Sequence, residues 1–491
     1  MRSISVSVAA ALLALAPAQA EKPPAPVVCA VDVAGNTRTR ERVIRDELLF
    51  APGDTLQAGA LEESERNLRR LLFLGQVRID TSRTPGGVGV RVQVQDLYSR
   101  ALSPLLAGEP GELSYGLVAL DYNLLGRGQT LRLSAQHRAV EGNRADVAYE
   151  APRLGAAHAA AVSAGLGAED HVFEVTLSHP FRALGTRASW GIWASHERHV
   201  ERLYARQRLT WRYEESERGL SLWAVGSLGG GDKWRPGLYL SATDRSFAAS
   251  PPFSGAPSDR RRVLPSAGLM WWRPAFARAR FIQSLGPLED LQTGSWVFLR
   301  WGLSRRWVGS DRDFAFWQVQ ASPRLASGDR TFLFTSFYAG GRTGAPGLHH
   351  VLVQAEVLGY RRLGRAHSLA VHLRADALHR PEDDAQLLLG LDSGLRGYPP
   401  RRFDGTRRWV AGVEVRPALH QAPDWVLAAA LFAEAGVAWT PGTRHRPAAA
   451  TGAGVRLGLP RVYNTPVLRS DLAYAWTDRA LQVSVGVGQY F

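Results

Sequence analysis

From residue 98 to residue 491 the chain repeats one hydropathic theme. Segments of about ten residues alternate apolar side chains with polar or small ones, and Gly-, Pro- and Asp-rich turns separate them. Leu131, Leu133 and Ala135 face one way, and Arg132, Ser134 and Gln136 the other. Phe173, Val175 and Leu177 alternate with Glu174, Thr176 and Ser178, and Trp409, Ala411, Val413 and Val415 with Arg408, Val410, Gly412 and Glu414. A period of two predicts antiparallel strands throughout. In water the apolar set would face a core, and in a membrane barrel it would face lipid; alternation alone does not separate the two.

Three features favour the barrel. Aromatics such as Trp439 and Trp476 sit toward strand ends, where interfacial girdles lie. The segments have the length a tilted strand needs to cross a bilayer. The chain also ends in an alternating strand over residues 481–491, closing on Phe491. Roughly 390 residues at about 24 per strand with its loop predict a transmembrane antiparallel β-barrel of about 16 strands.

The first hundred residues carry other periods. Arg2, an apolar run over 4–16 and Ala18-Gln19-Ala20 form the three-part pattern of a removable signal peptide, residues 1–20. Residues 21–26 are a Pro-rich linker. Residues 27–97 read as one small α+β domain of order β-α-α-β-β. A strand over 27–33 ends in Gly35-Asn36, and Thr39 is placed to cap a helix over 40–50, which Pro52-Gly53-Asp54 stops. A second helix over 58–74 aligns Leu61, Leu68, Leu71 and Leu72, and strands follow over 76–81 and 88–94.

Composition changes this picture little. The chain has 491 residues and a formal charge of +14. The excess is almost all Arg without a dense basic run, so nucleic acid is not an expected partner, while anionic lipid headgroups are a secondary one. After residue 20 no stretch of 18 or more uncharged apolar residues occurs. Cys29 is the single cysteine, so no intrachain disulfide and no Cys-based metal site is expected, and it reads as a small buried apolar residue. No G-x-S-x-G, H-E-x-x-H or P-loop is present, and Gly452-Ala453-Gly454 lies in a strand with no following helix. No enzyme, cofactor or metal is expected.

Residues 27–97 resemble a polypeptide-transport-associated (POTRA) domain. Gly35, Asn36, Thr39, Ile44, Gly53, Asp54, Leu68, Phe73 and Val77 stand where that family has its characteristic residues. With the barrel and the terminal Phe, the chain resembles the BamA/TpsB superfamily of outer-membrane assembly and secretion proteins: a single POTRA domain before a bacterial surface antigen-type barrel. Asp121 to Gly128, with Asn123, Gly126 and Gly128, resembles the family's early periplasmic turn. Leu395-Arg396-Gly397-Tyr398 resembles the V-R-G-F/Y motif of its sixth extracellular loop, and the 432–439 segment its F-x-D-x-G strand, with Glu434 for the usual Asp. Residues 481–491 resemble the C-terminal β-signal through Val485, Val487, Tyr490 and Phe491, with Gln489 departing from it. Here Phe491 shares the outward face of Leu481, Val483, Val485 and Val487, and Tyr490 has inward parity.

Strand parity points Glu414, Glu434 and Asp471 inward. By spacing alone Arg396 is a solvated loop arginine or a partner for these carboxylates. The resemblance favours a loop that folds into the lumen, with Arg396 against Glu434 and Asp471. It also implies a function: an outer-membrane barrel that inserts or translocates polypeptide clients. The periplasmic POTRA domain would receive an unfolded outer-membrane or secreted client by strand augmentation, and lipid, lipopolysaccharide and the barrel-assembly machinery would be further partners. A passive pore, or a surface-binding barrel acting through loops such as residues 248–262, are the alternatives.

Overall fold

The computed structural model describes residues 25–155, 157–345, 347–443, 445–460 and 467–491. The expected signal peptide and most of the linker lie outside these residues. The N-terminal domain has a three-stranded sheet of order β1-β3-β2. Its strands are β1 (Val28–Ala34), β2 (Leu74–Thr84) and β3 (Gly87–Asp96). β1 runs parallel to the central β3, and β2 antiparallel to it. The helices α1 (Glu41–Arg45) and α2 (Ala60–Arg69) cover one face. Val28, Ile44, Leu68, Phe73, Val90 and Val92 form the core between them. Both helices are shorter than the periodicity predicts. Thr39 does not cap α1, which begins after Arg40 without a side-chain cap. Its hydroxyl instead donates to Asp96 and accepts from Asn123. Cys29 is exposed, because it points off the sheet on the face opposite buried Val28.

The rest of the chain closes into a single antiparallel barrel. It has 20 strands, counting Phe314–Ser322 and Arg324–Ser327 as one strand interrupted at Pro323, instead of the expected 16 or so. A proline offers no ladder donor, which explains the interruption. The count is higher because many connections are short turns, such as residues 110–111 and 206–207, so the 394 residues from 98 to 491 supply about 20 per strand instead of 24. The strands differ in length: those around Ala188–Ala205 and Arg208–Gly226 are about twice as long as Thr130–Arg138. Residues 248–262, expected to be a long external loop, are a connection over 250–259 with two strand residues before it and three after.

The apolar set of the alternation faces outward. Leu133, Phe173, Leu177, Val413, Leu431, Leu472 and Leu481 are all exposed on the outer wall, while Ser134, Glu414, Glu434, Asp471 and Ser484 are buried inside. An outer wall this apolar is what a lipid-facing barrel requires. No helix of the described residues is long and apolar enough to cross a membrane.

Three pieces of chain enter the barrel. The hairpin Phe276–Ala279 with Glu289–Gln292 comes from the end facing the N-terminal domain, the near end. Its Ala279, Ile282 and Leu291 pack on the inner-wall residues Phe332, Phe334, Tyr360 and Ala370. Arg69 of α2 holds Asp290 of this hairpin at 2.7 Å, and Arg66 lies 4.2 Å from the Phe276 ring centroid. Residues 380–406 enter from the far end, and residues 488–491 turn inward from the near end.

Candidate functional site

The site is built where residues 380–406 meet the inner wall of the strands Arg407–Gln421, Val426–Trp439, Ala448–Gly458 and Val467–Ala475. This is the eighth connection at the far end, not a sixth, because the barrel has more strands than expected. A short hairpin, Leu387–Leu389 with Phe403–Gly405, carries the loop inward. Leu389, Leu395 and Tyr398 are fully buried against Val410, Ala438, Ala448, Ala450 and Ala475. The run of alanines on this wall is what admits the loop. Gly397 passes so close that a Cβ there would come within 2.5 Å of the Ala450 Cβ. The Tyr398 hydroxyl donates to the Ala449 carbonyl at 2.8 Å and pins the tip.

Arg396 then has one place to go. Its side chain is 0% exposed. Its Nε donates to Glu434 Oε1 at 2.7 Å, and its main-chain N–H to Glu434 Oε2 at 2.8 Å. Its Nη1 donates to Glu414 Oε2 at 2.5 Å and lies 3.6 Å from Asp471 Oδ1. The guanidinium carbon lies over the Phe432 and Tyr490 rings, 3.4 Å and 4.3 Å from their centroids. Three charge-assisted bonds and two ring faces fix a planar group far more tightly than a solvated arginine would be held.

Of the three carboxylates, Glu434 is paired among the described residues with Arg396 alone. Glu414 is shared with Arg416 (2.7 Å) and Arg456 (3.3 Å). Asp471 is held mainly by Arg456 (2.7 Å) and Arg469 (3.1 Å). The expected partner Asp471 is therefore a longer, secondary contact, and Glu414 supplies the second close oxygen. Inward parity alone gives Glu414 no partner, and its neighbours Arg416 and Arg456, with Arg469 beside Asp471, come together only in the closed wall. Their signal was available: each shares the inward parity of a carboxylate two residues away or on the facing strand. Alternating opposite charges inside a wall offset the desolvation each would suffer alone.

The chain's last residues are placed otherwise than expected. The last strand ends at Val487, and Gly488 (φ 95°) turns the chain into the lumen. Val485 and Val487 stay on the outer wall side of the strand, whereas Phe491 leaves the face of Leu481 and Val483. It stacks on His372 at 5.2 Å, and its main-chain oxygen accepts from Arg416 at 2.7 Å. The Tyr490 hydroxyl donates to the Leu391 carbonyl at 2.6 Å and accepts from the Gly394 N–H at 3.2 Å. A cationic cluster inside the barrel holds both rings, and the inward turn of Phe491 is the part that strand parity could not foresee.

The turn over residues 122–129 docks the N-terminal domain on the barrel. Asn123 Nδ2 donates to the Thr39 hydroxyl at 2.8 Å, the Gly126 carbonyl accepts from the Arg40 N–H at 2.9 Å, and the Gly128 N–H donates to Asn123 Oδ1 at 2.7 Å. Asn123 thus bonds both its own turn and the N-terminal domain. Within the domain, Asn36 Nδ2 donates to the Thr39 carbonyl at 3.0 Å. The Gly53 N–H donates to Val28 and the Asp54 carboxylate accepts from Ala51, both at 2.8 Å. Gly35 and Asn36 follow the last residue of β1, whereas Gly53 and Asp54 lie against its first, so the motif residues shape loops at opposite ends of that strand.

A second ionic anchor lies at the start of the loop. Glu382 accepts from Arg262 at 2.6 Å, Arg342 at 2.5 Å and Arg260 at 3.1 Å. Burial alone would raise its carboxyl, but Arg262, Arg342 and Arg260 outweigh it and hold the pKa at about 2. A depressed carboxylate stabilises above its unfolded value and loses that contribution as pH falls toward its folded value. Protease cleavage within 380–406 is therefore expected to stay constant from neutral pH down to about 4.5 and to rise between there and about 2. A cleavage rate that already rises between pH 7 and 5 would show that this anchor does not govern the loop.

Residues 26–96 match the family model POTRA, described as surface antigen variable number repeat. No match was found among curated protein sequences. Among solved structures the chain is similar to BamA from Haemophilus ducreyi lacking POTRA domains 1–3, at 14% identity over 94% of this chain and 84% of that one (TM-score 0.43). It is also similar to CdiB from Escherichia coli, at 14% over 95% and 77% (TM-score 0.49), and to CdiB from Acinetobacter baumannii, at 10% over 94% and 74% (TM-score 0.48). Residues 26–96 are thus matched as a POTRA domain, and that domain docks directly on a closed antiparallel barrel with an Arg-Gly-Tyr loop buried inside it.

Proposed function

We propose that this protein is an outer-membrane barrel that inserts or translocates polypeptide clients, with its POTRA domain in the periplasm. The observation that carries the reading is the Arg396 lock: a far-end loop held inside the barrel by Glu434 and Glu414, in a chain whose POTRA domain is bonded to the first near-end turn. The sheet order leaves β2 at an open edge, available to an unfolded client strand. The Arg396 loop keeps the barrel in its working shape, and the client's own folding or an external partner supplies the driving force. Lipid, lipopolysaccharide and the barrel-assembly machinery serve its own insertion. A passive pore fits less well, because the 276–292 hairpin, the 380–406 loop and the 488–491 tail all occupy the lumen.

The test is a comparison of outer-membrane and secreted proteomes with and without this protein. One or a few clients should fall in abundance while general barrel assembly continues. Unchanged proteomes, together with steady ion conductance of the purified protein in bilayers, would turn the reading to a pore.

A further inference from the structure

The barrel closes where its last strand, Ala480–Val487, meets its first, Arg100–Glu109. This seam holds a single residue pair in register, Val485 with Gly108, whereas the last strand pairs with its other neighbour along the whole of residues 468–475. A nearly unladdered junction between two edges needs another source of cohesion.

Two adjacent residues of the 380–406 loop reach to opposite sides of it. Arg401 Nη2 donates to Glu112 Oε1 at 2.6 Å, on the hairpin of the first strand. Arg402 forks onto Asp478, Nε to Oδ2 at 2.9 Å and Nη2 to Oδ1 at 3.3 Å, in the turn that leads into the last strand. Arg401 takes the left-handed backbone conformation (φ 58°), which reverses the chain between the two side chains. From below, Tyr490 ties the tail of the last strand to the same loop through Leu391.

We propose that Arg401 and Arg402 form a clasp over the seam, so that the loop carrying Arg396 holds the first and last hairpins together and the seam parts only when that loop lets go. The clasp deepens the functional reading above, since a seam that opens on demand is of use to a client-handling barrel. The geometry of the clasp nevertheless stands on its own contacts.

The test uses the full chain in liposomes with Cys29→Ser, and with Leu106→Cys and Val487→Cys, which the antiparallel register places opposite each other two residues from the Val485–Gly108 pair. The readout is the rate of seam disulfide formation, taken only from protein that migrates as folded barrel on unheated gels. Arg401→Glu with Arg402→Glu should slow the disulfide about fivefold, because two half-exposed ion pairs become repulsions. Adding Glu112→Arg and Asp478→Arg should restore the rate to within about twofold. Should the reversed chain fail to fold, Arg401→Gln with Arg402→Gln replaces it and should still slow the reaction. An unchanged rate, or no recovery in the charge-swapped chain, overturns the clasp. Slowed seam closure with unaltered client export would leave the clasp standing and overturn the functional reading instead.

Discussion

Arg396→Ala is expected to leave the barrel inserted and folded while residues 380–406 become open to protease and client handling falls at least tenfold. Glu434 would keep no cation among the described residues, and Glu414 would rely on Arg416 and Arg456 alone. Removing one partner of a buried ion pair costs about 3–5 kcal/mol. The ring faces of Phe432 and Tyr490 would also lose the cation over them. The cost falls on the loop and not on the barrel ladder, because the neighbouring strands stay paired through their backbones. Arg396→Lys should fall between: it keeps the charge but cannot donate to Glu434 and Glu414 at once from a planar fork. Heat-modifiable migration reports the barrel, protease mapping the loop, and client abundance the activity. Full activity with a protected loop would sink the lock.

Gly35→Val should unfold the POTRA domain without disturbing the barrel. Gly35 has φ 92°, where a β-branched residue is strongly disfavoured, and its Cβ would stand 1.9 Å from the Val94 carbonyl oxygen. Val94 lies in β3, the central strand, so relief of the clash must come from the middle of the sheet. A displacement of that kind costs more than about 3 kcal/mol, a large share of what a domain of this size has in reserve. Limited proteolysis of the membrane-inserted protein should then remove residues 26–96 rapidly and leave the barrel intact. A domain that stays resistant would show that the sheet yields more easily than its packing implies.

Much of this was legible in the residues themselves. The alternation of Leu131 to Gln136 and of Phe173 to Ser178 marks the strands and sorts their side chains onto two faces, since the side-chain period of a strand needs no tertiary partner to be read. Gly35, Asn36, Gly53 and Asp54 marked the small domain because the turns they serve are local. Arg396 and Glu434 were legible through motif and parity together. The strand count was not, because it depends on how tightly each connection turns, and short turns such as residues 110–111 leave little compositional trace.

What sequence alone determined, then, is local: period, parity, turn chemistry and the identity of the domain at 26–96. What only the tertiary structure decided is which distant groups share a space. Asp471 stands in register with Gly454, two residues from Arg456 on the facing strand, and pairs with Arg456 more closely than with Arg396, and Glu414 takes the place expected for Asp471. Phe491 abandons strand parity because a cluster of arginines inside the barrel offers its ring more than the outer wall does, while Tyr490 keeps the inward side its parity gives. Arg401 and Arg402, neighbours in the chain, bind residues 289 and 76 positions away. Parity fixes the side of a wall a residue faces; closure of the barrel alone fixes what it meets there.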